Sequence, residues 1–84
     1  MNNIPQNVSR RYVRNFIADG VNSTFELDHI IQRIAMTPGG LPCGAYFVAG
    51  VKCPGEFYEQ KEAEGATPEA AVASTLRAFG VTFA

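Results

Sequence analysis

The chain has 84 residues, a length that predicts one small domain over residues 1–84, with residues 1–6 as a flexible tail. The formal net charge of −1 argues against strong non-specific DNA binding, which needs an excess of Lys and Arg. No apolar run is long enough to cross a bilayer, and the N-terminus lacks the basic and apolar stretches of a signal peptide. We therefore expect a cytoplasmic protein without a membrane partner.

A first helix is predicted near the N-terminus, starting at residue 7 or 9. Its apolar residues recur at helical spacing, and Gly20 is a typical stop after the last turn. These apolar residues are Tyr12, Val13, Phe16 and Ile17. A strand is the alternative, but the two adjacent apolar pairs fit the two-residue period of a strand poorly.

A second helix is predicted to follow directly. Ser23 and Glu26 have the spacing of a capping box, in which each side chain binds a free backbone N–H of the first turn. An apolar stripe follows at helical spacing, and residues 38–40, Pro-Gly-Gly, end the helix. The stripe consists of Leu27, Ile30, Ile31 and Ile34.

Two strands are predicted next. Residues 44–52 are rich in β-favouring side chains, and residues 53–56 form a turn. The second strand begins at Phe57 and then becomes polar on both faces, with Glu59 and Lys61 on one and Gln60 and Glu62 on the other. A strand of this kind is typical of a sheet edge or projects into solvent.

The last helix has clear boundaries. Thr67 is a suitable N-cap, Pro68 fits the first helical position, and Glu69 lies at the positive end of the helix dipole. Gly80 fits the position after the C-terminus. Residues 81–83 either add a short last strand or pack on the helix.

This order predicts an α+β fold with two N-terminal helices, a small antiparallel sheet made of one hairpin, a C-terminal helix and, in one version, a short last strand. A sheet of two strands is weak in isolation. Pairing of edge strands between two copies would supply further strands, so we expect a homodimer.

No pattern in the chain predicts a catalytic, cofactor or metal site. His29 has no metal ligands at helical spacing, and the Gly-rich residues 38–44 lack the ending of a phosphate-binding loop. Cys43 and Cys53 lie roughly 30 Å apart if the chain between them is one strand, which predicts free thiols. Nothing in the sequence places Cys43 beside His29 as a nucleophile pair.

Charge is distributed unevenly along the chain. A basic cluster lies near the N-terminus, and acidic residues dominate from 56 to 69. Such a dipolar surface suits association with a protein of complementary charge, although both groups are also typical of solvated faces. The predicted partner-binding residues are Arg10, Arg11, Arg14, Glu59, Lys61 and Glu62.

The C-terminal half resembles small phage and prophage accessory proteins of the ABA-sandwich type. The resemblance rests on Tyr46-Phe47, on Glu56-Phe57-Tyr58, and on residues 65–72, Gly-Ala-Thr-Pro-Glu-Ala-Ala-Val. The last phrase is also similar to the strand-to-helix corner of HicB-type antitoxins. The Trp common in the ABA group is absent from this chain.

This resemblance implies a phage-encoded protein without enzymatic activity that binds a host protein and modulates or inhibits it, as anti-CRISPR inhibitors do. The alternative is a small nucleic-acid-binding regulator or a HicB-like antitoxin. In that case Arg10, Arg11, Arg14 and Arg33 would contact phosphates, with affinity that falls steeply as salt is raised.

Overall fold

The computed structural model describes residues 4–5, 8, 12–55 and 58–83. This part of the chain forms a four-stranded antiparallel sheet followed by one helix. The strands are adjacent in the sheet in the order in which they occur in the chain. The elements are β1 (Val13–Ala18), β2 (Val21–Met36), β3 (Pro42–Cys53), β4 (Glu59–Gly65) and α1 (Pro68–Ala78).

The first predicted helix is wrong, because residues 13–18 form β1. Asp19 and Gly20 both have positive φ, +50° and +81°, and Ala18 pairs directly with Val21. This is a two-residue hairpin loop of the type that Asp-Gly favours, because its twist matches that of the flanking strands. Gly20 therefore belongs to a hairpin turn and does not end a helix.

The second predicted helix is also wrong, because residues 21–36 form the long strand β2. Phe25 and Leu27 are buried with the period of a strand, and the register with β3 then shifts between Leu27 and His29. This β-bulge inserts one residue, so that Ile30 packs against the same core as Leu27. A spacing of three residues from Leu27 to Ile30 imitates the period of a helix.

The predictions for the second half are confirmed in their main elements. Residues 44–52 lie within β3, the charged segment forms the edge strand β4, and α1 begins at Pro68 with Thr67 as its N-cap. The Thr67 side chain accepts a hydrogen bond from the backbone N–H of Ala70. The optional last strand is reduced to isolated bridges at Val81 and Phe83, and Val81 bridges to Ala18.

One face of the sheet, here called the helix face, packs against α1. Val51 and Ala49 of β3 are fully buried there against Val72 and Leu76 of the helix. The buried hydroxyl of Thr75 donates to the carbonyl oxygen of Ala49 at 3.0 Å and also lies 2.8 Å from that of Ala71. The opposite face, here called the open face, carries mostly polar side chains.

The C-terminus of α1 is tied to the first hairpin. Backbone N–H groups of Gly80 and Val81 donate to the carbonyls of Arg77 and Leu76, a Schellman arrangement with Gly80 at φ +96°. The N–H of Asp19 donates to the carbonyl of Gly80 at 3.2 Å. Gly80 thus ends the helix, as predicted, and also holds the turn between β1 and β2.

Candidate functional site

Strands β2 and β3 continue beyond the rest of the sheet as a two-stranded arm, residues 33–46. β1 pairs with β2 only as far as Glu26, and β4 pairs with β3 only from Cys53 to Phe47. The arm accounts for the elongated shape of the molecule, which measures 45 × 26 × 21 Å. Its base is anchored in the core, and its far end is largely exposed.

Large apolar side chains are exposed along this arm. Ile34, Met36 and Leu41 are 62%, 55% and 67% exposed, and Ile31, just before the base of the arm, is exposed as well. Single exposed apolar residues are ordinary on a protein surface, but a concentration of them on a projecting element is typical of an interaction site.

The turn at the end of the arm is well ordered. The N–H of Thr37 donates to the carbonyl of Leu41 at 2.8 Å, and the N–H of Gly40 donates to the carbonyl of Thr37 at 2.9 Å. The hydroxyl of Thr37 also accepts from the N–H of Leu41 at 3.1 Å. Gly40 has φ +84°, a conformation that suits glycine. Pro38-Gly39-Gly40 is therefore part of a hairpin turn and does not end a helix.

A cluster of polar side chains lies on the open face at the base of the arm. His29 Nδ1 is 2.9 Å from Asp28 Oδ2, and His29 Nε2 is 3.0 Å from Glu62 Oε2. Gln60 donates from Nε2 to the same Asp28 oxygen at 3.1 Å, and Tyr58 donates from its hydroxyl to Gln60 Oε1 at 3.3 Å. The β-bulge lets the adjacent Asp28 and His29 side chains contact each other on the open face. The register of β3 and β4 places Glu62 opposite Gly50, within reach of His29.

The two carboxylates favour the charged form of His29. The hydrogen bond with Asp28 is the main cause that raises the pKa of His29, and the bond with Glu62 adds to it. In return, the hydrogen bond with His29 lowers the pKa of Asp28. Because both ring nitrogens already have carboxylate partners, this histidine stabilises the sheet rather than offering a free ligand.

Of the predicted partner-binding residues, Glu59, Lys61 and Glu62 lie on β4. Glu59 and Lys61 share the helix face, as predicted, with Lys61 Nζ 3.7 Å from Glu59 Oε2 and over the ring of Phe79. Glu62 lies on the open face and binds His29. The prediction of an edge strand is confirmed, but its two faces are not both free, because α1 packs along one of them.

The basic cluster is only partly described. The guanidinium of Arg14 lies 5.7 Å from the centre of the Tyr12 ring, on β1 rather than on a helix. Arg10 and Arg11 lie outside the described residues. The predicted positive surface therefore stays a prediction, and from residue 13 onward it belongs to a strand and not to the predicted helix.

The candidate site also includes two free cysteines and a groove on the open face. Cys43 and Cys53 are free thiols near opposite ends of β3, as predicted. A groove of about 280 Å³ on the open face is lined by residues of the arm and of β4, including Arg33, Tyr46 and Glu64. Among the described residues, no group of three or more His, Cys, Asp and Glu side chains is placed to hold a metal ion.

Neither the arm nor the pairing of His29 with Glu62 was predicted from the sequence. The signal for the arm was Asp19-Gly20, because a hairpin there turns the following apolar residues into a strand. The signal for the His29 pairing was Gly50 within a β-rich segment, since a strand glycine often marks a close approach by a neighbouring group.

Comparisons with known proteins found no match among family models, curated proteins or solved structures. The resemblance of the C-terminal half to phage accessory proteins therefore stays a prediction. Within the described residues, no helix is both long and apolar enough to span a membrane.

Proposed function

We propose that this protein is a non-enzymatic binding protein that docks on a partner protein through the end of its arm. The observation that carries the proposal is the exposure of Met36 and Leu41 on either side of the ordered turn at residues 37–40. When a partner covers exposed apolar side chains on a projecting hairpin, the removal of apolar surface from water stabilises the complex.

The order of the turn supports this proposal. A binding element that is already fixed loses little conformational entropy when it binds. The three hydrogen bonds centred on Thr37 hold the turn in one conformation before any partner arrives. Leu41 is thereby held at the end of the arm, where it is 67% exposed.

The nature of the partner follows from the resemblance stated above. We propose a host protein in the cytoplasm, which this chain modulates or inhibits by occupying a surface of it. The free thiols of Cys43 and Cys53 agree with a reducing compartment. The open-face groove beside the arm, with Arg33 and Glu64 in its lining, adds charged groups of both signs that can select the partner.

The test compares matched variants in bacterial cells. Tagged wild-type protein, Leu41→Ser and Val21→Ser are purified under identical conditions, and co-purifying proteins are quantified by mass spectrometry. Val21 is a suitable control because it is 63% exposed at the opposite end of β2. We expect Leu41→Ser to lose the partner and Val21→Ser to retain it. A partner retained equally by all three proteins would exclude the end of the arm as the binding surface.

A further inference from the structure

Among the described residues, none pairs with the outer edge of β2 from Asp28 to Met36. β1 pairs with β2 over residues 21–26, and the N–H of Leu27 donates to the carbonyl of Tyr12. Beyond that point, no strand in the described part of the chain pairs with this edge. An unpaired edge presents a row of backbone donors and acceptors to any strand that can reach it.

Beyond the bulge at Asp28, this edge lacks the Pro and Lys residues that often protect an edge strand. Residues 30–36 contain no Pro and no Lys, and Arg33 is their only charged residue. Ile34 is 62% exposed on the helix face, and Ile31 is exposed on the open face. The edge is therefore apolar on both sides of the sheet.

The arm would be stabilised by further strands. A ribbon of two strands is marginally stable in water, whereas three or more strands with an apolar face are stable. α1 packs on β3 and β4 and leaves the outer edge of β2 uncovered. A strand added along β2 would give the arm the partner that β1 gives the other end of β2.

We propose that a second copy of this chain occupies the edge, with β2 pairing antiparallel to β2 of the other copy about a two-fold axis at Gln32. Residues 29–35 are symmetric about Gln32, so this register pairs the regular part of the edge that follows the bulge at Asp28. It places Ile34 opposite Ile30 of the other copy on the helix face, where both are apolar. On the open face it places Arg33 opposite Ile31, one pair away from His29 and its carboxylates.

Neighbouring registers are less suitable. The helix faces of the two copies lie on the same side of the joined sheet only when the axis passes through a residue and not between two residues. This is because side chains alternate along a strand. An axis at Ile31 brings Met36 against Glu26, a position that β1 already occupies. An axis at Arg33 places two arginines directly opposite each other, which destabilises a sheet. The dimer interface and the proposed partner-binding surface are different. The interface is the outer edge of β2, whereas Leu41 lies in the turn that follows β2.

Disulfide trapping tests the register directly. In a Cys43→Ser/Cys53→Ser background, Gln32→Cys places two thiols opposite each other across the axis. Directly opposed residues of an antiparallel pair lie about 4.5–5.5 Å apart between Cα atoms, within the range that a disulfide spans. Val21→Cys, at the opposite end of β2 from the paired segment, is the control. We expect a covalent dimer under mild oxidation with Gln32→Cys and none with Val21→Cys.

Sedimentation equilibrium tests the dimer without any cysteine change. We expect wild-type protein to dimerise, and Ile34→Lys to raise the dissociation constant by about tenfold or more, because each copy then opposes a charge to Ile30. Val21→Lys is the matched control, since Val21 is 63% exposed at the opposite end of β2, and it should leave the constant unchanged. Leu41→Ser should also leave it unchanged, which separates this test from that of the proposed function.

Three results would overturn the proposal. The first is a wild-type protein that stays monomeric at all concentrations. The second is a dimer that Gln32→Cys does not trap or that Ile34→Lys does not weaken. The third is protection of the β2 amides from hydrogen exchange only when another protein is added, which would assign the edge to that protein's strand.

Discussion

The imidazole ring of His29 lies directly over Gly50, the residue that pairs with it on the neighbouring strand. A Cβ atom at position 50 would fall 2.7 Å from both ring nitrogens. Because Gly50 has no side chain, His29 reaches across β3 to Glu62 on β4. One glycine thus allows a contact between two strands that are not adjacent.

Gly50→Ala should destabilise the protein by about 1–3 kcal/mol, the usual cost of inserting a methyl group into a filled site. The His29 ring must move, and it then loses its contacts with Asp28 and Glu62. Urea unfolding of Gly50→Ala, His29→Ala and the double variant measures the coupling between the two positions. In the His29→Ala background, Gly50→Ala should cost clearly less than in the wild type. Equal costs in both backgrounds would show that the ring does not occupy this space.

The stability of the protein should depend on the protonation of His29. Its pKa is raised in the folded protein, chiefly by the hydrogen bond with Asp28. The protonated form therefore stabilises the fold fully below the unfolded value of about 6.5, and this contribution is lost as pH rises through the folded pKa. Urea unfolding of wild-type protein and His29→Gln between about pH 5 and pH 8.5 checks this sign. The advantage of the wild type should shrink with rising pH, and an advantage that grows would contradict the pairing.

Tyr12 should tolerate the loss of its hydroxyl group. The ring is buried, and its oxygen has no hydrogen-bond partner among the described residues. Burial raises its pKa to about 12. Tyr12→Phe removes an unsatisfied polar group, so we expect the free energy of unfolding to stay within about 1 kcal/mol or to rise. Ultraviolet titration should show the loss of a phenol that ionises near pH 12 in the wild type. A loss of more than about 2 kcal/mol would indicate that the hydroxyl has a strong partner.

The hairpin between β1 and β2 should depend on Gly20. Its φ of +81° is unfavourable for residues with a side chain, although a Cβ there would contact nothing. Gly20→Ala should therefore cost about 1 kcal/mol through backbone strain alone, measured by thermal or urea unfolding. Gly39→Ala is the control, since Gly39 does not have a positive φ. Amide hydrogen exchange separates this hairpin from a helix that ends at Gly20. In residues 13–18 we expect alternate amides to be protected, as in an edge strand, and not consecutive amides, as in a helix.

The second half of the fold could be predicted because its signals are local. Thr67 and Pro68 mark the start of a helix whatever surrounds them, and residues 59–62 are polar on both faces, as in an edge strand. The first half could not be predicted by period alone. The bulge at Asp28 shifts the strand pattern by one residue, so Leu27 and Ile30 acquire helical spacing while facing the same core.

The polar cluster around His29 could not be predicted from the sequence for a different reason. His29 and Glu62 are 33 residues apart, and only the register of three strands places them 3.0 Å apart. No local pattern contains that register. The arm could not be predicted for the same reason, because its length depends on where β1 and β4 stop pairing with β2 and β3.

Site-specific photocrosslinking tests the proposed function most directly. A photoreactive amino acid replaces Leu41 in one protein and Val21 in the control, and both are irradiated in living bacterial cells. We predict a crosslinked product with a partner protein, heavier than two copies of this chain, from position 41 and none from position 21. A partner that crosslinks at position 21 and not at position 41 would contradict the assignment of the arm as the binding surface.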